Sequence, residues 1–439
     1  MVLANEQSLL QLFADLMTKQ QWQELKSSPQ RNQIYTLPVV MAMMLLQRLS
    51  ERGTQQEAVH QVVAGRLDDL LEDCERVREG KISSNTGGYA RACGRIGVGV
   101  VERACDQLLG ELSKRVEAEP ELKVPLLLLD GSSLRLEHVD GLLEDFPPGR
   151  NQHNEGHWGI VRWVGCHDLQ TGIALRPAWG PMYGGQAVSE QQLAETVLER
   201  MPAGSVIVGD GNFGVFSVAH AAVNRGHQVL FRLTKPRAQA LGAGELLPTG
   251  ERKMVWRPSR HERKQHPGLP SDAALEGRLI VVTRAGFRET LYLFTTLQSP
   301  WEKVVSWYRQ RWNIEVDLRT LKGTMRLHQM RGKSTEAVEK ELLIAVVAYG
   351  LVRAFMALAA RRKNLPPRRI SFTRAYGLLN AMVGQLCVVD TEERQQAYDR
   401  ILDYIGQSKL PKRSQPRRYP RAVWYIGKGY SRRKAAQSK

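Results

Sequence analysis

The chain is short of cysteine. Its 439 residues hold five, Cys74, Cys93, Cys105, Cys166 and Cys387. None forms a Cys-x-x-Cys pair and the number is odd. That argues against a disulfide framework and a zinc knuckle and points to a reducing compartment. A secretory leader is missing too, because Asn5, Glu6 and Gln7 stand where a basic, apolar segment would run. Long uncharged apolar runs are equally scarce. The most apolar stretch, Leu342 to Ala360, follows Glu341 and contains Arg353, so a buried helix is expected there rather than a membrane span. Acid is in deficit: 45 Asp and Glu face 62 Lys and Arg, for a net charge of +17 and a pI near 9.8. Residues 409–439 carry eleven Lys or Arg and no Asp or Glu. Such a surplus favours a polyanionic partner, nucleic acid first. A basic ribosome-associated or membrane-surface protein competes on charge alone. A soluble cytoplasmic protein without internal repeats is expected.

Apolar residues recur at helical spacing over Leu9–Leu25, Val39–Leu49 and Val98–Leu112, so residues 1–120 read as a helical domain. Between these runs, polar residues Ser83 to Thr86 precede a predicted helix that exposes Arg91 and Arg95. A DNA-binding domain fits this pattern, and so does a plain helical bundle. From about residue 124 the period changes to two. Pro125–Asp130, Trp158–Cys166 and Ile173–Trp179 are predicted strands, the last two joined by a turn at Asp168–Gly172. A helix over 189–200, a strand at Ser205–Asp210, a helix over 215–225 and a strand at Gln228–Leu233 follow. Three antiparallel strands, helix, strand, helix, strand is the connectivity of a ribonuclease-H-like α/β core. The core is expected in two parts, 121–233 and 298–375, around a β-rich insertion at 234–297. A C-terminal region at 376–439 ends in the basic arm, whose Arg417, Arg418 and Arg421 alternate with aromatic residues and suit a nucleic-acid backbone.

A stripe of unusual chemistry lies near the end of the core. Tyr308, Arg311, Glu315 and Lys322 are spaced by three, four and seven residues. At ~3.6 residues per turn they share one helical face. Ser299, Pro300 and Glu302 read as a capped helix start and Gly323 as its end. One acid among two cations and a phenol suits a phosphate group, although a structural salt bridge fits the stripe taken alone. Two further acids close predicted strands: Asp130 the first and Asp210 the fourth. In a core of this order those strands are neighbours. Three such carboxylates can hold two Mg²⁺ ions ~4 Å apart, the arrangement phosphodiester cleavage needs.

These motifs resemble the DDE transposases of bacterial insertion sequences, in the insertion-sequence-four family. That family's Tyr-x-x-Arg-x-x-x-Glu-x-x-x-x-x-x-Lys signature is matched at Tyr308, Arg311, Glu315 and Lys322, and Asp130-Gly131 and Asp210-Gly-Asn-Phe213 resemble its two aspartate motifs. The β-rich insertion, Tyr419-Pro-Arg421 and the Thr86–Tyr89 segment resemble it more loosely. The resemblance implies a cut-and-paste transposase. Asp130, Asp210 and Glu315 would bind two Mg²⁺, replaceable by Mn²⁺, while Tyr308, Arg311 and Lys322 hold phosphates. Its partner would be double-stranded DNA, at terminal inverted repeats and at the target, with a dimer on paired ends and no membrane. Strand cleavage, hairpin formation and opening, and attack by a 3′-hydroxyl on target DNA would follow. A bacterial, nucleoid-associated protein is implied. A tryptophan of the insertion would stack on an extruded base, and Trp256 is the tryptophan of the 234–290 segment; packing of a small sheet is its other role. Trp312 matches the family too, and core packing is expected of it.

Other readings compete. A related nuclease without strand transfer, or a domesticated DNA-binding protein, would share these motifs. Gly209-x-Gly211-x-x-Gly214 follows a strand and precedes a helix, which fits an NADP-dependent oxidoreductase. The next strand end, Leu230–Lys235, offers cations where that fold wants an acid. His153, His157 and His167 are poorly spaced for zinc and are expected to make polar or DNA contacts. Glu190 reads as a helix-start charge.

Overall fold

The computed structural model describes residues 16–25, 33–50, 53–67, 70–71, 74–116, 124–150, 156–283, 290–386 and 391–411. The longer helices before the sheet are α1 (Leu37–Leu49), α2 (Gln55–Val63), α3 (Gly87–Arg95) and α4 (Val98–Arg115). Helix α1 starts with Pro38 in its first turn, where a missing N–H costs nothing. Its Leu, Val and Met side chains are buried nearly all round. Arg91 and Arg95 on α3 are exposed.

The protein is mixed α/β. Nine strands form one sheet in the order β3-β2-β1-β4-β5-β9-β8-β7-β6. They are β1 (Leu126–Arg135), β2 (Ile160–Asp168), β3 (Ala178–Pro181), β4 (Val206–Gly209), β5 (Gln228–Leu233), β6 (Glu245–Leu246), β7 (Arg252–Trp256), β8 (Leu275–Val282) and β9 (Leu291–Thr295). The β1–β4 and β4–β5 pairs are parallel, and the other pairs are antiparallel. The third strand starts later than its apolar run, at Ala178. Residues 234–297 do not stand apart as a subdomain, because β9 pairs directly with β5 and carries β8, β7 and β6 onto the same sheet.

Both faces of the central strands are covered, which is why they read as unbroken apolar runs. Alternation sorts them: Leu126, Leu128, Val206, Val208 and Leu230 face one core, and Leu127, Leu129, Ile207, Val229 and Phe231 the other. The second core is closed by α5 (Glu190–Leu198) and α6 (Phe216–Asn224). The first is closed by α7 (Trp301–Arg309), α8 (Trp312–Lys322), the 28-residue α9 (Thr335–Arg362) and the N-terminal helices. Helix α9 is long and apolar enough to cross a membrane, but 94% of its most apolar window is buried inside the protein. It packs against α1, α4, α10 (Phe372–Leu386) and α11 (Thr391–Gln407).

The signature residues lie on two helices. N–H groups of Gln310, Arg311, Asn313 and Ile314 bond three residues back, so the helix tightens into 3₁₀ turns between α7 and α8. Pro300 occupies the N-cap of α7 and no side chain caps it. Gly323 caps α8 in a right-handed conformation.

A buried ion cluster fixes α8. Asp317, 3% exposed, accepts two 2.7 Å hydrogen bonds from Arg368, which also donates to the carbonyls of Leu169 (3.0 Å) and Asp168 (2.8 Å). Arg353 approaches the same carboxylate at 3.9 Å and His167 at 3.3 Å. Burial alone would raise the Asp317 pKa; Arg368 and Arg353 overcome it and hold the group well below the usual range. Gly172 has φ +79°, and an added Cβ would stand 1.9 Å from Arg353, so the turn after β2 is closed over this cluster by a residue without a side chain. Removing the carboxylate leaves buried cations unpaired. Asp317→Ala is expected to cost about 3–5 kcal/mol, read as a lower urea midpoint. A shift under about 1 kcal/mol would mean that water or another acid replaces it. Because its folded pKa is depressed, the stabilisation from Asp317 is complete above ~4 and is lost as pH falls below that.

Candidate active site

Strand register brings two acids together. Strand β1 pairs with β4 through Leu126–Val206, Leu127–Ile207 and Leu128–Val208. Asp130, within β1, and Asp210, just past the end of β4, each lie two residues beyond the last pair of strands about 4.8 Å apart. Asp130 is not the end of its strand: β1 continues to Arg135 against β2, with Asp130 opposite Gly165. By alternation it shares the face of Leu126 and Leu128, beneath α8. Ile314, Leu318 and Leu321 bury α8 on that face. A Cβ at Gly165 would stand 3.0 Å from Leu318 Cδ2, so this glycine lets the helix come close. Glu315, one turn from Arg311, then overhangs Asp130.

Arg311 lies between the acids. Its guanidinium donates to Glu315 and stands 3.8 Å from Asp130 Oδ2. Burial pushes the Asp130 pKa up, Arg311 opposes the rise, and the Asp210 and Glu315 carboxylates add to it, leaving it at about 6. Tyr308, 8% exposed, has its hydroxyl pKa raised by burial, partly offset by Arg311 and Arg232. Lys322 Nζ donates to Ser132 Oγ at 3.2 Å. Burial and neighbouring Arg135 lower its pKa. A cleft of about 520 Å³ runs from Asp130 and Glu315 past Lys322 to His328.

Among the described residues no group of three or more His, Cys, Asp or Glu is gathered closely enough to hold a metal ion. Arg311 holds Asp130 and Glu315 apart. The residues nevertheless fit divalent metal. Asp130, Asp210 and Glu315 supply the hard carboxylate oxygens that such ions take.

A fourth acid reaches this end of the sheet from the opposite face. Glu190 opens α5, where Ser189 and Gln192 form a capping box. Its carboxylate accepts from Asn212 Nδ2, and Gln191 Nε2 donates to Asn212 at 3.0 Å and 2.8 Å. Asn212 N–H in turn donates to Asp210 Oδ1 at 2.9 Å. Burial raises the Glu190 pKa, Arg162 opposes this, and Asp210 adds to the rise. Glu190 is therefore more than a helix-start charge. Its spacing from Asp130 and Asp210 carries no local signal, because the contact depends on how α5 is laid across β1 and β4.

The glycines between 209 and 214 serve packing. A Cβ at Gly214 would stand 2.1 Å from the Arg232 carbonyl oxygen, and one at Gly209 would crowd Phe213 and Phe231. Arg237 donates to the carbonyls of Gly211 (2.6 Å) and Gly214 (3.1 Å). With β1 and β2 antiparallel, this is not the doubly wound sheet that a dinucleotide site requires.

Several expected residues lie elsewhere. Trp256 is 5% exposed and edge-on to Phe294 (4.9 Å) and Phe216 (5.9 Å), because alternation along β7 turns it onto α6. It fills the second core and offers no free face to a base. Trp312 is 47% exposed and does not pack in the core. His167 serves Asp317, while His157 stacks on His138 at 4.1 Å. His153, Arg417, Arg418 and Arg421 fall outside the described residues.

A family model described as the transposase DDE domain matches residues 124–351, more than half of the chain. No curated protein matches. Among solved structures, a cryo-EM structure of the piggyBac transposase synaptic complex with hairpin DNA aligns over 91% of this chain and 86% of that one, at 12% identity and a TM-score of 0.42.

The contact of Glu190 with β1 can be measured. A Cβ at Gly131 would stand 2.3 Å from Glu190 Cδ. Gly131→Ala alone should destabilise by about 1–3 kcal/mol through overpacking. In a Glu190→Ala background that penalty should shrink, with a coupling of about 0.5–3 kcal/mol in a denaturation cycle. Additive effects would mean Glu190 does not occupy this space.

Proposed function

The chain belongs to the transposase DDE domain family, and from that premise we propose that it excises and reinserts an insertion sequence by metal-dependent cut-and-paste chemistry. It is an enzyme that acts on DNA. The observation that carries the finer reading is the shared level of Asp130 on β1 and Asp210 just past the neighbouring β4, with Glu315 on α8 near Asp130. The sheet order β3-β2-β1-β4-β5 with β1 between an antiparallel and a parallel neighbour supports a ribonuclease-H-like core. Glu315 and Lys322 lining one cleft, with Arg311 bonded to Glu315, support a relative of the insertion-sequence-four family.

In this reading Asp130, Asp210 and Glu315 hold two divalent ions, Mg²⁺ by preference. When bound, such ions lower the pKa of an attacking water or hydroxyl and neutralise the leaving oxygen. Arg311 then turns from the carboxylates to the scissile phosphate, with Tyr308 beside it. Lys322, on Ser132 of β1, holds the same strand one step along the cleft. Burial keeps these contacts in a low-dielectric setting, where charge is worth more than in water. The strand-transfer course has four steps: a nick at the transposon end, attack by the freed 3′-hydroxyl to form a hairpin, its reopening, and joining to target DNA. Two copies pair the two ends.

The test uses DNA carrying the inverted repeats that flank the gene. Asp130→Asn, Asp210→Asn and Glu315→Gln should each abolish cleavage and leave binding intact. Mn²⁺ should replace Mg²⁺, and Ca²⁺ should support binding alone. A variant that cuts at the wild-type rate removes its residue from the reading. Cleavage without joining to a target would identify a nuclease.

The arm generates a separate expectation. Deleting residues 409–439 removes eleven positive charges. If they track phosphates, the slope of log affinity against log salt should fall by about 0.9 for each phosphate no longer neutralised, equally for end DNA and random DNA. An unchanged slope would assign the arm to subunit pairing.

A further inference from the structure

The two aspartates are held by different means. Asp130 lies inside the β1–β2 ladder, opposite Gly165. Asp210 lies past the end of its strand, since β4 stops at Gly209 with its last pairings to Leu128 and Phe231. No sheet hydrogen bond fixes its height. It opens a turn that runs to Val215 and feeds α6. Within the turn the Asn212 N–H donates to the Asp210 side chain at 2.9 Å, and the Gly214 N–H to the Asp210 carbonyl at 3.0 Å. The other holds come from far along the chain. Arg237, on the short helix Lys235–Ala240, donates to the carbonyls of Gly211 (2.6 Å) and Gly214 (3.1 Å). Helix α6 starts behind Val215, an N-cap with no side-chain acceptor. Its first N–H, on Phe216, donates instead to Glu262 Oε1 at 2.9 Å, 46 residues away. A helix start needs such an acceptor, so Glu262 fixes where α6 begins. Glu262 Oε2 accepts from the Ser259 N–H at 2.8 Å, in the capping box of the helix Arg260–Gln265. One carboxylate thus starts two helices. Trp256 of β7 stands edge-on to the Phe216 ring at 5.9 Å. Arg237, Trp256 and Glu262 all belong to the segment 234–297, and all three stand outside the lining of the cleft.

We propose that Arg237 and Glu262 are positioning residues for Asp210, and that through them the β-rich half of the sheet sets how tightly the cleft holds its divalent ions. This rests on the metal-dependent reading above. A carboxylate that is free to swing loses that freedom when an ion binds, and affinity falls accordingly; outer partners that fix a ligand prevent this. The grip from α5, through Glu190 and Gln191, acts on Asn212 alone. Gly211, between Asp210 and Asn212, has no side chain to be gripped and the widest backbone freedom. Arg237 is the side chain that holds its carbonyl.

The test titrates the full chain with Mn²⁺ in the absence of DNA and reads the free ion by electron paramagnetic resonance. Circular dichroism at the same temperature verifies that each variant is folded. Arg237→Ala and Glu262→Ala should each raise the Mn²⁺ dissociation constant by about 10- to 100-fold. Glu262→Gln keeps an acceptor for the Phe216 N–H and for the capping box, so it should restore most of the affinity. In cleavage of end DNA, the Mn²⁺ concentration for half-maximal rate should rise by the same factor in Arg237→Ala, with the rate recovered at saturation. Asp210→Asn, which lacks the ligand itself, should not recover at any concentration. Unchanged Mn²⁺ affinity in both alanine variants would overturn the proposal and leave the turn to Glu190 and Gln191. An equal loss in Glu262→Ala and Glu262→Gln would overturn positioning by Glu262, because the charge and not the hydrogen bond would then matter. If neither Mn²⁺ binding nor cleavage by the unsubstituted chain depends on Asp210, the metal reading itself falls, whatever Arg237 does.

Discussion

Carboxylates gathered where a helix crosses two central strands of a sheet repel, and the Arg311 guanidinium lets the folded chain keep them there. It bonds Glu315 and stands near Asp130, and Asp130 still has a pKa near 6. Burial is the largest cause of that rise, and the Asp210 and Glu315 carboxylates add to it. Anything that brings two positive charges between these acids relieves both the repulsion and the need for Arg311.

Much else exists to hold Arg311 and Glu315 at that height. Helix α8 must lie close enough to β1 for its acid to overhang Asp130, hence the glycine at 165 under Leu318. It must not rotate, hence the buried Asp317 on its other side, clamped by Arg368 and the turn after β2. Glu315 and Asp317 are two positions apart, so one helix carries an acid open to the cleft and a buried acid that anchors it. The second aspartate is held differently. Asp210 sits in a turn closed by Asn212, and Asn212 is gripped from α5 by Glu190 and Gln191.

Local pattern carried part of this. Pro125–Asp130 and Ser205–Asp210 are short apolar runs ended by an acid, and the three-four-seven spacing from Tyr308 survives the 3₁₀ turn at Gln310. The mixed α/β class follows from the change of period near residue 124. Long-range pairing was not legible. That β9 sits against β5, making one sheet of nine strands, depends on partners some sixty residues apart with no marker in either. Glu190 was passed over for the same reason, since its neighbours come from β1 and the turn after β4. Residue type does not say which face of β7 is covered, so base stacking and sheet packing both stayed open for Trp256, which is buried. Trp312 read as core and is exposed.

Helix α9 is shared property. Its apolar surface is covered by α1 and α4 from the start of the chain and by α10 and α11 from beyond it. Leu109 and Leu112 close on Gly350, and Arg48 of α1 reaches Glu341 and the carbonyls following α8. The N-terminal helices are thus a wall of the same building as the sheet that carries Asp130, not a detachable module. A gene copy that lost its upstream third would not encode a smaller nuclease or a competitor for DNA. It would encode a chain with a long apolar helix uncovered, fit for the cell's proteases.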